Sequence, residues 1–138
     1  MQQTPLHVKS GQVEWPTEYS NYPASLMDVY RLKRLIGNKA PVVVKGVSLV
    51  VSALDPGATY PIHSHPAPEI YYFLKGRAEC TWGDETFIAE PGTVVYTPPN
   101  LPHSMRNIGD GPVEAVIFWW GDQVGVLAEL TEPEIKCI

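Results

Sequence analysis

Residues 57–76 read GATYPIHSHPAPEIYYFLKG, and this stretch decides how the rest of the chain is organised. His63 and His65 stand two residues apart, and Glu69 follows four residues later. A strand alternates its side chains with a period of two, so His63 and His65 are expected on one face. After Pro66-Ala67-Pro68 the chain re-enters an apolar run, Glu69 to Leu74, which reads as a second strand. Glu69, Tyr71 and Phe73 then share a face. Two imidazoles and a carboxylate converging from paired strands supply three ligands for a divalent first-row metal. His103, in PPNLPHSMRN, is a fourth candidate. His7 has no such company and is taken as an ordinary surface or core residue.

The rest of the chain supports a single β-rich domain. Its 138 residues suffice for one barrel core. Its 14 prolines and 11 glycines fall between short apolar runs, as frequent turns in an all-β fold require. A net charge of −5 argues against a nucleic-acid-binding surface. Cys80 and Cys137 form no CxxC pair, and no disulfide framework is implied. The first residues lack the apolar core of a signal peptide, and no apolar run reaches the length of a membrane span. The expected location is the cytoplasm, without membrane association.

Taken in order, residues 1–40 read as an arm followed by a short helix, capped by Ser25 and running to about Ile36. Leu26, Val29, Tyr30 and Ile36 mark its apolar face, and Gly37 its stop. That helix is expected outside the barrel. Arms of this kind lie over a barrel or pair with a second subunit, so a homodimer is compatible with the sequence. Residues 41–122 form the barrel. Its strands are expected at Val42–Val44, Val47–Leu54, His63–His65, Glu69–Leu74, Ala78–Trp82, Thr86–Ala89, Thr93–Thr97, His103–Asn107 and Val113–Trp120. Strands at this spacing make a double-sheet jelly roll. Residues 123–138 form a tail with no assignable role.

Gly57, His63, His65, Glu69 and Gly76 fill every defined position of the first cupin motif, G-x5-H-x-H-x3-E-x6-G. Gly92, Pro98, His103 and Asn107 fit the second motif, G-x5-P-x-G-x2-H-x3-N, with Asn100 in place of a glycine. The chain therefore resembles the cupins. Asn tolerates positive φ better than other non-glycine residues, so the turn is expected to survive that replacement. The resemblance implies a jelly-roll barrel with His63, His65, Glu69 and His103 around a divalent ion. Fe2+, Mn2+, Ni2+ and Zn2+ all suit the ligand set.

Within that family, the chain is similar to the small cupins that cleave dimethylsulfoniopropionate (DMSP), which carry H-x-H-x3-E-x-Y. That likeness implies a metal-dependent β-elimination with Tyr71 as the base. It also implies a second active-site tyrosine at Tyr60, although strict alternation from His63 turns Tyr60 away unless Pro61 bends the strand. A phenol with its ordinary pKa near 10 needs a nearby cation to act as a base at neutral pH. A sulfonium group calls for aromatic faces, and Trp82, Tyr96, Trp119 and Trp120 are the candidates. The expected enzyme is thus a lyase acting on a small carboxylate. The rival readings are a cupin dioxygenase or decarboxylase and a non-catalytic small-ligand or sugar-isomerase-like cupin.

Overall fold

The structure is a computed structural model that describes residues 5–16, 24–122, 124 and 135–136. A 3-10 turn, Ser10–Gln12, and a one-turn helix α1, Ala24–Met27, precede the strands. The strands are β1 (Tyr30–Gly37), β2 (Val42–Val43), β3 (Val47–Leu54), β4 (Thr59–His63), β5 (Glu69–Lys75) and β6 (Ala78–Trp82). They continue as β7 (Glu85–Ala89), β8 (Val94–Thr97), β9 (His103–Asn107), β10 (Val113–Trp120) and β11 (Ile135–Lys136). One sheet runs β2-β1-β3-β10-β5-β8 and the other β11-β4-β9-β6-β7. Two such sheets, each apolar on its inner face, form the expected all-β jelly roll.

The alternation in β10 shows how the core forms. Val113, Ala115, Ile117 and Trp119 are buried, while the residues between them are partly exposed. Val50, Leu54, Phe73, Ala78 and Met105 meet them from both sheets. At Gly76 an added Cβ would lie 2.5 Å from the Pro112 carbonyl oxygen, so only glycine lets β5 turn there beside β10. Asn107 is buried; its amide donates to Leu54 O (3.0 Å) and Gly111 O (2.8 Å), and its oxygen accepts from Gly109 N–H (2.9 Å). The last motif residue is thus a clamp on the barrel floor.

The expected helix to Ile36 is corrected. Only Ala24–Met27 is helical, and Tyr30–Gly37 is a strand paired antiparallel with β3 from Tyr30↔Leu54 onward. The four apolar positions fitted a helical stripe. However, Leu32 and Leu35 lie off that stripe, and pairing with the apolar β3 strand outweighs the local preference. A bulge between Arg34 and Ile36 shifts the alternation, so both Leu32 and Leu35 are buried. The barrel consequently starts at Tyr30, not at residue 41. Part of the tail also acquires a place, since Ile135 and Lys136 pair with His63 and Ile62. No helix among the described residues is long and apolar enough to cross a membrane.

Candidate metal centre

His63 and His103 are direct partners across β4 and β9, and Trp82 flanks His103 on β6. Glu69 opens β5, opposite Thr97 on one side and Trp119 on the other. The expected strand His63–His65 is corrected: β4 ends at His63, and His65 lies in the following loop. Pro66 has no N–H with which to extend the ladder. His65 is aimed by the loop. Its carbonyl accepts the Asn100 N–H at 2.7 Å, and Asn100 holds φ 65°, so the replacement of glycine preserves the left-handed turn. That turn joins the second motif to the first.

Three histidines converge inside the barrel, all buried, with ligand nitrogens within 4.8 Å of one another. Each Nδ1–H donates to a backbone carbonyl: His63 to Pro61 (2.8 Å), His65 to Ala67 (2.9 Å) and His103 to Leu101 (2.8 Å). A carbonyl can only accept, so in the neutral rings the lone pairs sit on Nε2. Glu69 is fully buried, with Oε1 3.0 Å from His65 Nε2 and 2.9 Å from His103 Nε2. The second contact is close but lacks hydrogen-bond alignment, and among the described residues His103 Nε2 and Glu69 Oε2 find no partner.

Two lone-pair nitrogens facing one carboxylate oxygen repel unless a cation lies between them. The donor set therefore fits a divalent metal: neutral imidazoles, one anionic oxygen, and tautomers fixed from behind. Burial opposes ionisation of Glu69, but where the His103 and His65 rings carry a proton on Nε2 and present positive charge to it, they prevail and lower its pKa to about 2. Burial and the neighbouring His103 push His63 well below its usual value, leaving it neutral and able to ligate.

Tyr71 is buried, its ring edge-on to Trp82 (5.3 Å between centroids) and to His103 (6.4 Å). Tyr60 also faces inward, because between the Tyr60↔Met105 and His63↔His103 pairs two residues, Pro61 and Ile62, oppose the single Ser104. That bulge at Pro61 resets the alternation, and the Tyr60 ring stacks on His63 at 4.1 Å. Trp82 Nε1–H donates to Thr97 Oγ1 at 2.7 Å, tying the two sheets together beside the histidines.

Of the four aromatic candidates, only Trp82 and Trp119 are interior. Tyr96 and Trp120 stack on each other on the outer face and are removed from the site. Buried Trp119 Nε1–H has no acceptor among the described residues, a feature that sequence reading did not single out. Its only signal was its position in phase with the inward residues of β10. Cys80 is buried, and burial raises its pKa to about 12, so it is an inert core thiol. Cys137 lies outside the described residues.

Residues 50–120 match the Cupin domain family. The chain is 35% identical to dimethylsulfoniopropionate lyase DddQ of Ruegeria pomeroyi over 124 residues, which are 88% of this chain and 61% of that protein. The crystal structure of DMSP lyase DddQ from R. pomeroyi superposes with a TM-score of 0.70 at 34% identity, covering 80% of this chain and 57% of that one. A chain from the crystal structures of DMSP lyases RdDddP and RnDddQII gives a TM-score of 0.71 at 25% identity, covering 82% and 59%. The chain thus spans about three fifths of the length of these relatives.

Proposed function

The chain belongs to the cupin domain family, and on that footing we propose that it is a metal-dependent lyase. Its substrate in this reading is DMSP, or a small carboxylate like it, cleaved by β-elimination. One observation carries the proposal: the Tyr71 ring lies beside His103 on the same interior wall as Glu69, among imidazoles whose lone pairs point inward. The likeness to DddQ supports the choice of reaction.

His63, His65, Glu69 and His103 would hold the ion, whether Fe(II), Mn(II), Ni(II) or Zn(II). When bound, such an ion supplies positive charge that attracts the substrate carboxylate and acidifies the adjacent C–H. Tyr71 then takes the α-proton on its phenolate oxygen. The C–H electron pair becomes the new C=C bond, the C–S bond breaks, and dimethyl sulfide departs with the bonding pair, leaving acrylate. Tyr71 releases the proton to solvent and is ready again. Tyr60, on β4 of the opposite sheet, stacks on His63 and fixes its ring plane. Trp82 offers a π face beside Tyr71 for the sulfonium, and Trp119 offers a buried N–H for the carboxylate.

Metal-loaded protein incubated with DMSP under anaerobic conditions tests the proposal. Equal yields of dimethyl sulfide and acrylate are expected, together with no requirement for dioxygen. Turnover only with dioxygen would favour oxidative cupin chemistry instead. Binding of DMSP without cleavage would favour a non-catalytic role.

A further inference from the structure

A row of inward residues crosses the first sheet at the level of the metal centre. Glu69 on β5 pairs with Trp119 on β10, and Trp119 pairs in turn with Ser48 on β3. All three are buried. The row ends in a cation. On β1, Tyr30 and Leu32 are buried, and Arg34 is the next residue in that phase, opposite the buried Val50. The β1 bulge follows Arg34, so it does not turn this side chain outward. Arg34 Nε–H donates to Ser48 Oγ at 2.9 Å. Gly37 leaves room for the stem, since an added Cβ there would lie 3.1 Å from Arg34 Cδ.

The other two cations of β1 are in the opposite phase and serve the fold. Arg31 pairs with Asp55 at 3.1 Å, and Lys33 Nζ donates to Ser10 O (2.7 Å) and Val13 O (3.2 Å), which straps the arm down. Arg34 differs in facing the interior. Ser48 is a neutral acceptor: it orients the guanidinium plane without neutralising the charge, and it uses one of five N–H donors. Next to Ser48, the buried Trp119 Nε1–H finds no acceptor among the described residues. A planar cationic fork and an unsatisfied indole N–H on one wall both call for an anion, and a carboxylate matches the fork.

We propose that Arg34 is the residue that selects a carboxylate substrate: with Trp119 it holds the carboxylate over β10, and Ser48 positions the guanidinium. This rests on the reading of the substrate as a small carboxylate and assigns the place where that group lies. Neighbouring strands are ~5 Å apart, so a carboxylate over β10 sits one strand from Glu69 on one side and one from Ser48 on the other. The charge of Arg34 also sets the direction of the substrate. It repels a sulfonium, so the cationic end turns away from β1 and toward the π face of Trp82 on the opposite sheet. Neutral analogues of the same shape gain nothing from Arg34.

Isothermal titration calorimetry with propionate and its isostere propionamide tests it, on the full chain with and without Mn(II). The wild type should prefer propionate, and Arg34→Gln should weaken propionate by about 10–100-fold while leaving propionamide unchanged. Arg34→Lys, which keeps charge but not the fork, should recover part of the loss, and Arg31→Gln should lose nothing. The dependence on Arg34 should remain without Mn(II). Circular dichroism verifies the fold of each variant, and Arg34→Lys serves if Arg34→Gln does not fold. The proposal is overturned if the wild type binds propionate no better than propionamide, or if folded Arg34→Gln binds propionate as the wild type does. An equal loss for both ligands would also overturn it, by making Arg34 structural. With DMSP, Arg34→Gln should act mainly by raising KM. Propionate binding that depends on Arg34 in a protein that leaves DMSP intact would uphold the subsite and refute the lyase reading. DMSP cleavage with an unchanged kcat/KM in Arg34→Gln would do the reverse.

Discussion

Glu69→Gln separates the charge of the metal centre from its shape. In the neutral imidazoles the Nδ1–H groups are committed to Pro61, Ala67 and Leu101. In metal-free wild type, the carboxylate oxygen then faces two lone-pair nitrogens at 2.9 and 3.0 Å. The Gln amide can instead donate to His103 Nε2, which has no partner among the described residues. One added buried hydrogen bond contributes about 1 kcal/mol, so the metal-free variant should melt at or slightly above the wild type. Metal at a hundredfold excess over Kd stabilises the wild type by about 2.7 kcal/mol. Weakening the site by ~100-fold cuts that contribution to about 0.4 kcal/mol at the same metal concentration. For a chain of this size 1 kcal/mol corresponds to roughly 3–4 °C, so the metal-induced shift should fall from about 10 °C to about 1–2 °C. Differential scanning calorimetry with and without Mn(II), after chelation, measures both quantities. Glu90→Gln and Glu114→Gln should keep the whole shift. The reasoning is refuted if Glu69→Gln also keeps it, or if the metal-free variant melts about 10 °C below the wild type, which would make the carboxylate structural.

Tyr71→Phe keeps the ring packed against Trp82 and should retain bound metal while lowering kcat by roughly 10²–10⁴-fold; steady-state elimination of dimethyl sulfide measures it, and a wild-type rate would remove Tyr71 as the base. Asn100→Gly should be nearly neutral to thermal stability. By contrast, Asn100→Val should cost about 1–2 kcal/mol by straining φ and should loosen the bond to His65 O, with denaturant unfolding as the check.

The two motifs made most of the barrel legible because their residues are tied to its turns. Gly76 cannot carry a Cβ, Asn100 must hold a left-handed turn, and Asn107 clamps a buried floor, so each marks its place in sequence. The strands from Val47 to Trp120 followed from β-branched runs between Gly and Pro turns. Alternation failed where proline intervened. His65 lies beyond the end of β4, and the bulge at Pro61 brought Tyr60 inward, a bend that the sequence allowed without requiring. Tyr30–Gly37 was misread because a four-position apolar stripe is shared by a helix and a bulged strand, and only pairing with β3 decides between them. The inward Trp119 and the outward Trp120 were indistinguishable by composition; the phase of β10 separates them.

X-ray absorption at the metal edge of protein purified without chelator, paired with elemental analysis, tests the metal centre most directly. The structure predicts close to one divalent ion per chain, with imidazole scattering in its first shell that is lost in His63→Ala and His103→Ala. A folded wild type that takes up no ion when offered Fe(II), Mn(II), Ni(II) or Zn(II), or an ion whose ligand shell is unchanged by both substitutions, would contradict it.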